Sequence, residues 1–478
     1  MAPTPDRLQF LNSQLARARS QDGPPQVPRG TVSGEEQLGD NLPEDLLWLE
    51  EPLPPLVERA WWTKWASCRW IGSASVAAAV VMIGMAAAGM WRGPTADDVK
   101  AGEALFTHQW APHDAWAAEG GDGLGPVFNA RSCAECHFQG GTGGGGALKH
   151  NVAAIEVLPT IGHPYPLNGV IHAFALDENL RESRESVRER FPIIPKGMTI
   201  TVCSQPLRKD YDPLRHHSIN SPTLFGSGVI DRISDATLRM QRAAQTVAGV
   251  RREIRGDFSN PISGRLRVLP DGRIGKFGWK AQFATLEEFV AQACAVELGL
   301  STPTRKQHVP KHHVEDLQAR PDLDERQFHQ LVAFVAALPA PREVLPADQS
   351  ERALALRGKE VFVSIGCADC HTPNVGSAEG VYSDFCLHEI TDRQTTGYIE
   401  EPDVPVPEEY PLGAEWKTPP LWGVAQTAPY LHDGSAPTLE AAIEAHAGQA
   451  RGVRAKYRKL PPVDRLAVIR FLETLTME

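Results

Sequence analysis

Two short runs carry the residues best suited to chemistry: Cys133-Ala134-Glu135-Cys136-His137 and Cys367-Ala368-Asp369-Cys370-His371. Two cysteines separated by two residues, with histidine next, can hold a haem through two thioether bonds and one axial iron bond. The expectation is a protein with two covalent c-type haems, attached at Cys133, Cys136, Cys367 and Cys370, with His137 and His371 as iron ligands. Zinc knuckles are a poorer reading. The motifs lie far apart in the chain, and zinc does not require the adjoining histidine.

Each motif needs an element to position it. Thr95, with Asp97 and Asp98 behind it, caps a helix through Ala101 to Phe106, and a related run, Arg357 to Phe362, precedes the second motif. This is an internal repeat. The copies differ in spacing, because Phe106 to Cys133 is far longer than Phe362 to Cys367; the insert, with Gly120-Gly121-Asp122-Gly123, predicts a loop near the first haem. The glycine run at 140–146 lacks the Gly-Lys-Ser/Thr ending of a phosphate loop and predicts flexible backbone at the haem edge.

The second iron needs a ligand on its other face, and after His371 the chain offers one methionine, Met477 at its tail. In Pro437 to Gly448, Leu439, Ala442, Ile443 and His446 fall at helical spacing, with Pro437 suited to the first helical position, so His446 lies on an apolar face. His446 is the expected sixth ligand; His388 and His432 compete, with Tyr430 and Tyr382 behind them. For the first haem, His150, Gln139 and His217 are candidates for handling a proton on the distal side, and the catalytic residues are not assigned. His216-His217 and His308 with His312-His313 read as solvated loop histidines, because no carboxylate or cysteine set accompanies them at ligand spacing.

Between the motifs, strands are expected at Asn151 to Leu158 and Gly197 to Val202, with a hairpin at Arg265 to Phe277 turning at Pro270-Asp271-Gly272. Helices follow from Thr285, capped with Glu288, and over Gln327 to Leu338; another closes the chain from Pro462 to Thr476. Cys203 and Cys294 could pair or stay buried as thiols.

Upstream, the 22 residues between Arg69 and Arg92 carry no charge, and Trp61, Trp62, Trp65, Trp70 and Trp91 bracket them. As a helix they would span about 33 Å, enough for a hydrocarbon core. The expected order is a largely disordered cytoplasmic tail (1–69), a transmembrane helix (70–91), a first haem domain with a β-rich insertion (94–345) and a C-terminal cytochrome c-like domain (346–478). Haem attachment takes place outside the cytoplasmic membrane in c-type cytochromes, so both haem domains are expected in the periplasm of a bacterium. The fold class is mainly α. A net charge of −11 leaves no basic footprint for nucleic acid.

With these motifs stand Gly125-Pro126-Val127-Phe128-Asn129-Ala130-Arg131-Ser132, Pro222 to Asp231, Lys276-Phe277-Gly278-Trp279-Lys280-Ala281, Thr418-Pro419-Pro420-Leu421-Trp422-Gly423 and Ala428-Pro429-Tyr430-Leu431-His432-Asp433-Gly434. Through them the chain resembles the di-haem oxidoreductases, a peroxidase- or thiol oxidoreductase-like family related to bacterial di-haem cytochrome c peroxidase and to MauG. The resemblance implies two haems, admits calcium, and names peroxide or another small oxidant as substrate and a redox protein or quinol-linked donor as partner. It also implies that the helix after His432-Asp433-Gly434 presents the distal ligand of the second haem, where this chain has His446. Ser435 replaces an expected arginine, and Cys386-Leu387-His388-Glu389-Ile390 replaces a more usual Leu-Leu-His-Asp-Met. The function expected is a membrane-anchored di-haem oxidoreductase that reacts at the first haem and relays electrons through the second, with Trp279 and Trp422 as candidate bridges. The alternative is a non-catalytic electron carrier with both irons six-coordinate.

Overall fold

Helix starts follow the local chemistry of their caps. In the computed structural model, α1 (Ala96–Thr107) opens on a capping box in which the Thr95 hydroxyl accepts from Asp98 N–H and the Asp98 carboxylate returns the bond. Such caps contribute about 1 kcal/mol each. The long α2 (Asp235–Ile254) follows, and α3 (Leu286–Glu297) starts at the expected Thr285–Glu288 box. Next come α4 (Glu325–Ala337), α5 (Gln349–Ile365), α6 (Leu439–Ala445) and α7 (Pro462–Leu472). The structure describes residues 93–158, 167–195, 201–202, 205–206, 211–254, 264–308, 320–391 and 414–477. The tail and the membrane segment at 70–91 lie outside them, as do Cys68, Cys203 and His312-His313. Among the described residues no helix is long and apolar enough to cross a membrane.

The repeat seen in the sequence is a repeat of packing. In the first copy α1 crosses α4, with Gly102 so close that an added Cβ would lie 1.9 Å from the Gln330 carbonyl oxygen, and Phe106 meets Phe334 at 5.1 Å between ring centres. In the second, α5 crosses α7 with Gly358 against the Ala467 carbonyl, and Phe362 meets Phe471 at 5.3 Å. A glycine and a phenylalanine one turn later therefore serve each pair, the first allowing contact and the second filling it.

Sheet is sparse and local. β1 (Val152–Val157) lies between β2 (Leu167–Ile171) and β3 (Leu214–Ile219) in an antiparallel sheet, pairing Ala154 with His217 and Ile155 with His216. The two histidines are thus strand residues, not loop residues as the sequence suggested; the backbone of β1 pairs with theirs, and Leu214 and Ile219 stand at the strand's two ends. β4 (Leu387–Glu389) and β5 (Glu415–Lys417) pair antiparallel, with Trp416 opposite His388. The 270–272 turn forms, held by Gly272 N–H to the Leu269 carbonyl, but its arms meet in a single bridge between Val268 and Ile274 instead of a ladder.

Among the described residues the buried apolar side chains gather in two cores. The larger runs from Leu105 and Phe106 through Phe328 and Phe334 and takes in Val375, Val381, Phe385 and Trp422; the smaller joins Phe362, Tyr382, Tyr457, Phe471 and Leu475. The Phe106–Cys133 insert is packed, with Trp110 fully buried in the larger core and Asp322 accepting the backbone N–H of Asp122 and Gly123, each at 2.8 Å.

Candidate haem sites

Both Cys-x-x-Cys-His runs fold into one helical turn in which the histidine N–H donates to the first cysteine's carbonyl, at 3.0 Å in each. The turn puts positions i, i+3 and i+4 on one side, so two thiols and an imidazole share a face. Ser132 caps the first turn by accepting from Glu135 N–H and is itself held by Gln109 at 2.8 Å. The second follows Gly366, whose φ of 103° ends α5 and turns the chain at once into Cys367. Each motif histidine rests on its repeat phenylalanine: Phe106 to His137 is 6.4 Å and Phe362 to His371 is 6.3 Å between ring centres.

The glycine run after the first motif is not loose backbone. The His137 Nδ1–H donates to the Gly144 carbonyl at 3.1 Å, Gly143 N–H donates to the His137 carbonyl, and a Cβ on Gly144 would fall 1.7 Å from the Gln139 carbonyl oxygen. Glycine is required there because the chain doubles back tightly enough to grip the imidazole. The sequence expectation of flexibility is corrected by this close approach.

At the second motif the His371 Nδ1–H donates to the Tyr382 carbonyl at 2.9 Å, and the His446 Nδ1–H to the Ala442 carbonyl at 2.7 Å. Fixing Nδ1 leaves Nε2 of each ring as the lone-pair nitrogen, the arrangement that orients a histidine for a metal. The two ring centres are 6.3 Å apart. An iron bound by two imidazoles at about 2 Å each, with ring centres about 1 Å further back, needs roughly 6 Å. The residues present therefore fit a bis-imidazole haem. Burial pushes the imidazoles of His137 and His371 down to about 4 and the thiols of Cys133, Cys136 and Cys367 up to about 12. α6 is shorter than expected: Thr438 is its N-cap, and His446 is the residue that ends it, with extended backbone.

The competing ligands are otherwise engaged. His388 bonds Asp384 through Nε2 at 2.9 Å and Gln449 through Nδ1 at 3.1 Å. Cys370 Sγ lies 3.7 Å from that Nδ1, so Cys370, Asp384 and His388 form a three-ligand set within 4.8 Å that a metal could use if the thiol were free. Burial pulls the His388 imidazole down, but the Asp384 carboxylate outweighs it and holds the ring well above its ordinary value. His432 stacks on Trp416 at 3.5 Å, and Tyr382 supplies its carbonyl to His371. Tyr430 lines a cleft between α6 and α7 that no motif residue reaches.

Around the first motif, His137 has Phe106 as its ring neighbour, and among the described residues no second imidazole stands against it. His150 packs edge-on to Phe138, and Gln139 buries a side-chain oxygen without a hydrogen-bond partner. His217 pairs with Glu156 at 3.3 Å and lies edge-on to Trp416.

Trp416 is the residue that sequence reasoning passed over. It is buried, His432 stacks on one face, and the Lys280 ammonium lies 3.8 Å from its ring centre. Trp279 stands edge-on to His432 and donates its indole N–H to the Asn220 carbonyl, next to Ser221, whose own carbonyl accepts from Gly146 N–H at the end of the glycine run after the first motif. Trp416 and Lys417 are adjacent on β5 and so take opposite faces, an alternation visible in Glu415-Trp416-Lys417 once the strand is recognised. Trp422, the other candidate bridge, is packed in the larger core against Gly226.

Residues 314–475, which contain the second motif, His388 and His446, match the family model described as "Di-haem oxidoreductase, putative peroxidase". That stretch is similar to the di-haem oxidoreductases. No curated protein matches the chain. Among solved structures, the chain aligns with hydrazine synthase of Kuenenia stuttgartiensis, studied under 20 bar of xenon, at a TM-score of 0.37 and 13% identity over 80% of this chain and 89% of that one. It also aligns with a MauG-like protein associated with microbial copper homeostasis, at a TM-score of 0.27 and 18% identity over 52% of this chain and 91% of that one.

Proposed function

We propose that the protein is a membrane-anchored, periplasmic di-haem c-type oxidoreductase of peroxidase type, with the first haem as reaction site and the second as electron relay. One observation carries this reading: the second motif has a facing imidazole at ligand spacing, and among the described residues the first has none. When bound, haem iron supplies reversible one-electron chemistry and, where a coordination position is open, a place for peroxide.

The chain's own residues do the rest. Cys133, Cys136 and His137 hold the first haem, and the Gly144 carbonyl fixes the His137 tautomer. Cys367, Cys370, His371 and His446 hold the second; two imidazoles favour a lower potential than a histidine–methionine pair, which suits a store of reducing equivalents. The Trp279, His432 and Trp416 rings lie between the loop at Asn220 and the β4–β5 pair beside Cys370, and this supports them as the route between sites. The uncharged run at 70–91 supports the anchor.

The test is spectroscopic. The purified holoprotein, stained for covalent haem under denaturing conditions and examined by electron paramagnetic resonance with and without peroxide, is expected to show one low-spin and one high-spin iron, the latter alone responding to peroxide. Two low-spin irons with no response to peroxide would remove the enzymatic reading.

A further inference from the structure

Lys417 carries a charge that no carboxylate of the described structure pairs with. It follows Trp416 on β5, so while the indole turns towards His432 the lysine takes the other face. There it is 6% exposed, with its ammonium 5.7 Å from the centre of the Phe385 ring. Among the described residues the ammonium enters no ion pair, and its one hydrogen bond is a long one, 3.5 Å to the Thr418 carbonyl.

Asp384 is near enough to favour the charge, but its oxygens are spent elsewhere. Oδ1 accepts from Cys386 N–H at 2.9 Å, and Oδ2 meets His388 Nε2 at 2.9 Å and Gln245 Nε2 at 3.0 Å. Burial accordingly pulls the Lys417 ammonium down to about 8, with Asp384 opposing. Lys280, the other buried lysine beside β5, is differently placed: its ammonium reaches the Glu415 carbonyl at 2.5 Å and covers the Trp416 ring. A buried ammonium without a carboxylate partner is costly, and the cost is removed where a ligand brings the opposite charge.

The surroundings say which ligand that is. The Thr418 carbonyl that Lys417 reaches also accepts from Ser383 Oγ at 2.7 Å, and Ser383 N–H donates to the carbonyl of Thr372, the residue after His371. Ser383 itself follows Tyr382, whose carbonyl fixes the His371 imidazole. One shared oxygen thus separates the ammonium from the loop that grips the second motif's histidine. A haem brings two anions of its own, the propionate carboxylates.

We infer that the Lys417 ammonium binds a propionate of the second haem. The inference rests on the function proposed above in taking that haem to be bound, and on nothing about peroxide. A charge-assisted bond from Nζ fixes the carboxylate, and a positive charge held there favours the ferrous over the ferric state of the nearby iron.

Lys417→Met removes the charge and keeps the bulk, and Lys417→Arg keeps the charge. In the holoprotein, Lys417→Met is expected to shift the propionate bending band of the low-spin haem in resonance Raman spectra and leave that of the high-spin haem in place. At about pH 9, where a freed propionate stays ionised, the midpoint potential of the low-spin haem should fall by at least the equivalent of tenfold in its redox equilibrium, about 59 mV for one electron. Lys417→Arg should stay near the wild type in both readings. An unmoved band and potential in Lys417→Met, or a shift confined to the high-spin haem, overturns the assignment. A structure of the wild-type holoprotein decides it without any variant: a second-haem propionate oxygen within hydrogen-bond distance of Nζ is expected, and both propionates beyond about 4 Å would refute it. Two low-spin irons with no response to peroxide would remove the enzymatic reading and leave this contact standing, whereas absent covalent haem staining would remove both.

Discussion

Replacing Gly358 by alanine perturbs the second site through its helix pair alone. The added Cβ would lie 1.8 Å from the Ala467 carbonyl oxygen and 3.0 Å from Phe471 Cβ, where ordinary contact begins at 3.4 Å. Backbone cannot swing aside, so α5 and α7 must part by an ångström or more. Overpacking of this kind costs about 1–3 kcal/mol, and loosening the Phe362–Phe471 contact adds about 1 kcal/mol, against a gain of about 1 kcal/mol from alanine's helix propensity. The net expectation is a loss of about 2 kcal/mol. Gly102→Ala, with 1.9 Å to the Gln330 oxygen, should do the same to the first pair. Gly249→Ala in α2 is the control, because its Cβ meets nothing within 4 Å; it should stabilise by up to about 1 kcal/mol. Thermal unfolding of the three variants, with haem spectra recorded for each, tests the argument. If Gly358→Ala unfolds with the wild type, or disturbs the high-spin site in place of the low-spin one, the helix-crossing argument is wrong.

Two further outcomes are expected. His446→Ala should leave both haems covalently attached but turn the second high-spin, read in the visible spectrum, and added imidazole should restore the low-spin band; an unchanged band would mean another residue is the ligand. Burial raises the Glu297 carboxyl to about 7, opposed by the hydrogen bond from Asn129, so the folded state prefers it protonated. That preference is fully present below its ordinary value of 4.5 and is lost as pH rises through about 7, on the order of 3 kcal/mol in all. Glu297→Gln should abolish this fall, so that urea midpoints at pH 5 and pH 8 draw together; a wild-type midpoint that rises across that range would refute the sign.

Local signals in the sequence were dependable where a few adjacent residues decide the outcome. Thr95 and Thr285 cap as read, the two motif turns form, and His446 stands opposite His371 although its helix ends one residue earlier. What escaped depends on contacts between distant segments. Nothing local marks Gly144 as a backbone contact with Gln139, so a glycine run reads as flexibility when it is compression. Trp416 resembles any core aromatic until β5 is paired with β4 and His432 is laid on its face. His216 and His217 look solvated until β1 claims their backbone.

The larger core does not respect the repeat. It draws Val375, Val381, Phe385 and Trp422 out of the segment that follows the second motif and sets them among residues of the first copy. The segment that completes the core around the first motif thus lies after it in the chain, beyond Cys367 and Cys370. Residues 94–345 by themselves therefore lack part of the apolar packing of their own core. The larger core is complete only when the segment after the second motif has joined it.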